Sequence, residues 1–129
     1  MSLRDQYPAL VVEARGFSQL PDDWDGEGAR KPGIASIGHT LNLLEQMTAE
    51  LPELPEPDLA PCANGSIDLW WKQPSFTLLM NVHEGKFSWY GVSGDFNTKG
   101  NSNVTVADFG FIRELALRAG EEAKIVSRC

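Results

Sequence analysis

Residues 67–91 read IDLWWKQPSFTLLMNVHEGKFSWYG, and the period of their apolar positions decides the fold class. Ile67, Leu69 and Trp71 alternate with Asp68, Trp70 and Lys72; Phe76, Leu78, Met80 and Val82 alternate again; Phe87, Trp89 and Gly91 form a third run. A period of two is that of a strand, whose successive side chains point to opposite faces. Gln73-Pro74 and Glu84-Gly85 break the runs only briefly, so the three strands are expected to form an antiparallel meander. Alternation also sets Trp70 and Tyr90 on the opposite side of the sheet from Trp71 and Trp89. If Trp71, Trp89, Phe76 and Leu78 face the helices, then Trp70, Tyr90, Thr77 and Leu79 compose an exposed, partly aromatic face, which is a candidate contact surface. The alternative is that the 95–103 loop or a dimer mate covers that face.

On the C-terminal side of this stretch, Asp95 to Asn103 is rich in Gly, Asn, Thr and Asp, which favours a loop leading at most into a short fourth strand. Thr105 followed by Asp108 resembles a capping box with aspartate in place of glutamate. Val106, Phe109, Ile112, Leu115, Ala116 and Ala119 then trace a helical stripe that Gly120 ends. On the N-terminal side, Pro52, Pro55, Pro57 and Pro61 impose an extended connector, because proline fixes φ and lacks the amide donor. Before it, Pro32 suits a first helical position, and Ile34, Ile37, Leu41, Leu44, Met47 and Leu51 keep one apolar stripe. Tyr7, Leu10, Val11 and Ala14 predict a shorter helix from about Pro8 to Phe17.

The pattern therefore predicts an α+β fold, an antiparallel three- to four-stranded meander with two N-terminal helices and one C-terminal helix packed on one face. A chain of 129 residues is too short for two well-buried cores, so 1–129 is read as a single domain. It divides into a helical, acidic half of about 1–51, a Pro-rich connector 52–62, and a sheet with the last helix over 63–129.

The formal net charge of −7 is unevenly placed: residues 1–62 carry eleven acids and four bases, residues 63–129 seven of each. Such a field repels phosphate backbones, and no basic stripe offsets it, so nucleic acid is not an expected partner. A basic protein surface is. No apolar run is long enough to span a bilayer, so no membrane association is expected, and a cytoplasmic location is the default. Cys62 in the connector and Cys129 are expected to be free thiols.

One loop has a specified pattern: Leu20-Pro21-Asp22-Asp23-Trp24-Asp25-Gly26-Glu27-Gly28-Ala29. It resembles the Leu-Pro-x-x-Trp-Asp-Gly-x-Gly-Ala loop of a group of uncharacterised small bacterial proteins, in which a helix and a strand-rich half follow. The resemblance covers the loop, the Pro32 helix and the Gly65 to Trp71 region; it implies a shared fold and transfers no catalytic residue. Physically, Trp24 offers a ring to bury, while Asp25-Gly26 can reverse the chain. That makes Asp22, Asp23, Trp24, Asp25 and Glu27 a structural anchor in preference to a site for a hard cation, since their spacing departs from the twelve-residue calcium loop.

Other chemistry lacks a complete motif. His39 and His83 have no His-x-x-x-His or Cys-x-x-Cys context, so no metal site and no cofactor are expected. Ser93 falls short of a nucleophile elbow, and Gly26-Glu27-Gly28 is a fragment of a dinucleotide fingerprint. The leading expectation is a non-catalytic interaction or regulatory, antitoxin-like domain. It would bind a protein with a basic surface or form a homodimer. The runner-up is a small-molecule binder or enzyme with a cleft between the Trp24 loop and the sheet, using Asp23, Asp25 or His39; a structural homodimer subunit is the third reading.

Overall fold

The computed structural model describes residues 7–21, 23–51 and 54–118. Helix α1 (Pro8–Gly16) runs into a 3₁₀ turn (Phe17–Gln19), and α2 (Ile34–Glu50) follows the acidic loop. Among the described residues the sheet has five strands, β1 (Asp58–Pro61), β2 (Ile67–Lys72), β3 (Thr77–His83), β4 (Lys86–Ser93) and β5 (Phe96–Asn103), paired antiparallel in sequence order. After a 3₁₀ turn (Val104–Val106) comes α3, whose described part is 110–118. The fold is α+β, with five strands where the periodicity predicted three or four.

Both additional strands are edges, and each forms through contacts that local composition does not express. β1 arises inside the proline connector: Trp71 Nε1 donates to the Pro55 carbonyl at 2.7 Å, and the Tyr7 hydroxyl donates to the Leu54 carbonyl at 3.1 Å. These bonds hold the connector beside β2, and an edge position tolerates proline because one side needs no ladder bonds. β5 has Phe96 as its single large apolar residue, yet Phe96, Thr98, Gly100 and Ser102 all turn inward against β4. The Trp89 ring lies over Gly100, where a Cβ would stand 2.4 Å from Trp89 Cζ2. Strand formation here is driven by cross-strand packing, which composition alone does not report.

The third helix begins later than the capping pattern predicts. Val104 is fully buried and its amide donates to the Gly85 carbonyl at 2.8 Å, which pins the chain to the β3–β4 turn before a helix can start. The Asp108 carboxylate then accepts the Gly110 amide at 2.9 Å, so it acts as the cap itself. Val106 is consequently exposed, whereas Phe109, Ile112 and Leu115 are buried. Ala119 and Gly120 lie outside the described residues.

Helix α2 starts at Ile34, one residue past Gly33, and Ile34 is exposed instead of joining the stripe. Ile37, Leu44 and Met47 are buried as their spacing predicts, and Leu43 and Thr40 widen that face. These side chains meet Leu10, Val11 and Ala14 of α1 and the inner residues of the sheet in one hydrophobic cluster. On the inner face Gly91 leaves room for Leu115, and the Trp89 ring stacks on Phe111 with centroids 4.1 Å apart. All this packing occupies a single face of the sheet. Among the described residues no helix is long and apolar enough to cross a membrane.

Candidate functional site

The other face of the sheet carries the residues singled out by alternation. Trp70, Thr77, Leu79 and Tyr90 share it, opposite Trp71 and Trp89. The register aligns them closely: Asp58 pairs with Trp70, Trp70 with Leu79, Leu79 with Tyr90, and Tyr90 with Lys99. One row across all five strands thus reads acid, aromatic, leucine, aromatic, base. Trp70 is 40% and Tyr90 51% exposed, whereas Trp71 on the inner face is 1% exposed. Lys72 extends along β2 so that its Nζ lies 3.7 Å from the centre of the Trp70 ring, a cation–π contact at the end of the sheet. Thr77 pairs with Lys72 and Val92 in the neighbouring row.

On the opposite side of that aromatic row the outer face turns polar. Asn81 donates through Nδ2 to Ser66 Oγ at 2.8 Å and to Asp68 Oδ1 at 2.9 Å, with Cys62 Sγ at 3.8 Å. Half-burial pushes the Cys62 thiol above its usual range, with the Asp68 charge acting in the same direction. Cys62 is a free thiol in this structure; Cys129 lies outside the described residues. Next to this cluster, Asn81, His83, Lys86, Ser88, Asn101 and Asn103 border an open polar hollow of about 460 Å³.

The acidic loop is held by its own carboxylates. Asp25 Oδ1 accepts the amides of Glu27 at 2.8 Å and Ala29 at 3.1 Å, and the Asp23 carboxylate accepts the Gly28 amide. Asp23 also donates its amide to the Ala29 carbonyl at 3.0 Å, with positive φ at Asp23, Gly26 and Gly28 making the reversal. Trp24 is half-buried and closes the loop by donating from Nε1 to the Arg30 carbonyl at 3.0 Å. Glu27 is exposed, and Asp22 lies outside the described residues. Among the described residues no group of three or more His, Cys, Asp or Glu side chains is placed to hold a metal ion.

The loop delivers Arg30 and Lys31 to a second location that the sequence did not reveal. Arg30 bridges to Asn64 beside the β1–β2 turn, its amide donating to the Ala63 carbonyl at 2.8 Å. Ser36, buried in the first turn of α2, accepts the Glu84 amide at 2.9 Å and so fastens the β3–β4 turn to the helix. Between these elements is a pocket of about 420 Å³ whose lining includes Arg30, Lys31, His39, Asn64, His83 and Glu84. The two histidines, 44 positions apart in sequence, therefore share one pocket. Asp23 and Asp25 are not among its lining residues. A linear reading could flag each histidine but not their meeting, which depends on the α2-to-turn bond through Ser36.

Compared with known proteins, the chain matches no family model, no curated protein and no solved structure.

Proposed function

We propose that the protein is a non-catalytic interaction domain, regulatory in character, whose contact surface is the outer face of the sheet around Trp70, Leu79, Thr77 and Tyr90. The observation that carries this reading is the pair of large aromatics left in water on either side of Leu79. Aromatic side chains supply much of the energy of protein interfaces, because they bury large area with few rotatable bonds. The outer face bears Lys72, Lys86 and Lys99 against Asp58 and Asp68, so it is not the acidic surface that a basic partner would seek. The acid excess instead lies at exposed positions such as Asp25, Glu27, Glu45 and Glu50. Of the two partner classes expected from the sequence, a second copy suits the aromatic face and a basic protein suits the acidic side. The test compares Trp70→Ala with wild type by sedimentation and partner titration, with circular dichroism as the folding control. Binding should weaken by about 2 kcal/mol or more while the fold persists. Unchanged binding would remove the aromatic face from the account.

A small-molecule function is favoured by one separate observation, the meeting of Arg30, Lys31, His39 and His83 around a single pocket. Among the described residues neither Arg30 nor Lys31 forms an ion pair, which leaves both cations available to an anionic ligand. This version of the cleft keeps His39 and replaces Asp23 and Asp25 with bases.

A further inference from the structure

The register of the outer face sets an acid at one end of a row and a base at the other, with aromatics on both sides of a central leucine. Across the sheet the central row runs Asp58, Trp70, Leu79, Tyr90, Lys99, with β3 in the middle. We infer that this face docks on the same face of a second copy, about a two-fold axis parallel to β3 that passes beside Leu79; the inference rests on the interaction reading given above.

The axis direction follows from charge. When two sheets pack face to face with their strands nearly aligned, the two-fold axis relating them runs either along the strands or across them. Rotation about an axis along β3 exchanges the two ends of the row, so Asp58 meets Lys99 of the mate, Trp70 meets Tyr90, and Leu79 meets Leu79. Rotation about an axis across the strands brings Asp58 to Asp58 and Lys99 to Lys99. The first arrangement makes two opposite-charge contacts, the second two like-charge contacts, and like charges set against each other disfavour an interface. The sequence of side chains along the row is its own complement in only one of the two orientations.

Packing and solvation agree with that choice. The centre of the row is apolar and its two ends are charged, which is the core-and-rim arrangement of a contact surface. In the row on the other side, Lys72–Thr77–Val92, the rotation sets Lys72 against Val92 of the mate, so that row too brings no like charges together. In the polar row, Asn81 lies on the axis beside its own copy, and Asp68 faces Ser88, so no charged residue of that row opposes a like charge. Five strands about 4.8 Å apart and about seven residues long present roughly 550 Å² per copy, so the pair covers about 1,100 Å², close to the lower limit of specific interfaces. A reversible dimer in the micromolar range is expected.

The test is analytical ultracentrifugation of the full chain with two charge reversals, Asp58→Lys and Lys99→Asp. Each alone places like charges at both symmetric contacts and should weaken self-association about tenfold or more. An equimolar mixture of the two variants should recover association, because a heterodimer restores opposite charges at both contacts. Trp70→Ala should weaken the dimer about 30-fold. A wild type that stays monomeric overturns the second copy as partner while leaving the aromatic face open to another protein. A dimer that forms in wild type and ignores both reversals overturns the axis. A dimer unaffected by Trp70→Ala overturns the interaction reading itself. Circular dichroism of every variant separates these outcomes from loss of fold.

Discussion

Trp70 and Trp71 are joined by one peptide bond and live in different surroundings. Trp71 is 1% exposed, and its indole N–H is held by the Pro55 carbonyl at 2.7 Å; Trp70 is 40% exposed, with a lysine ammonium over its ring. The same division runs through the whole sheet. The inner face is filled by Ile67, Leu69, Leu78, Met80, Val82 and Phe87, all closely buried beneath the helices. The outer face carries aromatics, lysines, asparagines and two aspartates with no helix upon it among the described residues. Residue type alone does not assign a role in this protein: two tryptophans with identical chemistry differ because one points toward α2 and α3 and the other does not. The covered face determines whether the chain folds, and the open face is where recognition is proposed.

The largest effect that would sharpen this contrast is expected from replacing each tryptophan in turn. Trp71→Ala removes a fully buried ring and leaves the Pro55 carbonyl without its donor, so the loss should be about 3–5 kcal/mol in chemical denaturation. Trp70→Ala removes a ring already partly in water and should cost no more than about 1 kcal/mol of monomer stability. Comparable losses for the two variants, measured at a concentration where the chain is monomeric, would break the assignment of core to one face and contact surface to the other.

A smaller but sharper effect should come from Gly100. The Trp89 ring rests directly on this glycine and stacks on Phe111 behind it, so a methyl at Gly100 cannot enter without moving the ring. Gly100→Ala should therefore destabilise by about 1–3 kcal/mol despite its position on a polar edge strand. Gly94→Ala makes a poor control because its φ of 58° adds strain of its own. The better control is Asn101→Ala, next along β5 but on the outer face, for which a change below about 0.5 kcal/mol is expected. An equal response at the two positions would mean that β5 is not held by the inner face.

These two tests bear on what the sequence could disclose. The alternation in 67–91 predicted the three central strands, their order and the parity of all four aromatics, because each of those properties is local to a strand. β1 was not legible, and β5 was expected only as a short strand after a loop, not as eight paired residues. Their pairing depends on Trp71 reaching Pro55 and on Trp89 covering Gly100, contacts 16 and 11 positions apart that no propensity encodes. The candidate contact surface was legible to a similar degree. Trp70, Leu79, Thr77 and Tyr90 could be placed on one face from parity, but the charged ends of their row could not, since Asp58 and Lys99 belong to the two strands that composition conceals. The pocket shared by His39 and His83 was hidden for the same reason, as it needs α2 to meet a hairpin turn.

The smallest expected effect lies within the covered side, at a buried hydroxyl of α2. Thr40 is fully buried on α2, and its Oγ1 has no hydrogen-bond partner among the described residues. A buried hydroxyl without a partner gives up its bonds to water on folding and gains nothing in return, whereas its methyl group packs as well as any other apolar group. Valine has nearly the same shape and no hydroxyl, so Thr40→Val removes the unsatisfied atom without opening a cavity. The variant should match the parent or exceed it by up to about 1 kcal/mol in urea denaturation, with an unchanged slope. Thr40→Ala supplies the comparison: it also removes the hydroxyl but leaves a methyl-sized void, and should lose about 1 kcal/mol. If Thr40→Val instead destabilised the chain by more than Thr40→Ala, the hydroxyl would have to be bonded in solution. Thr40 would then join Ser36 and Trp71 among the bonded polar groups of the covered side, and its hydroxyl would contribute to the stability of the fold instead of costing it.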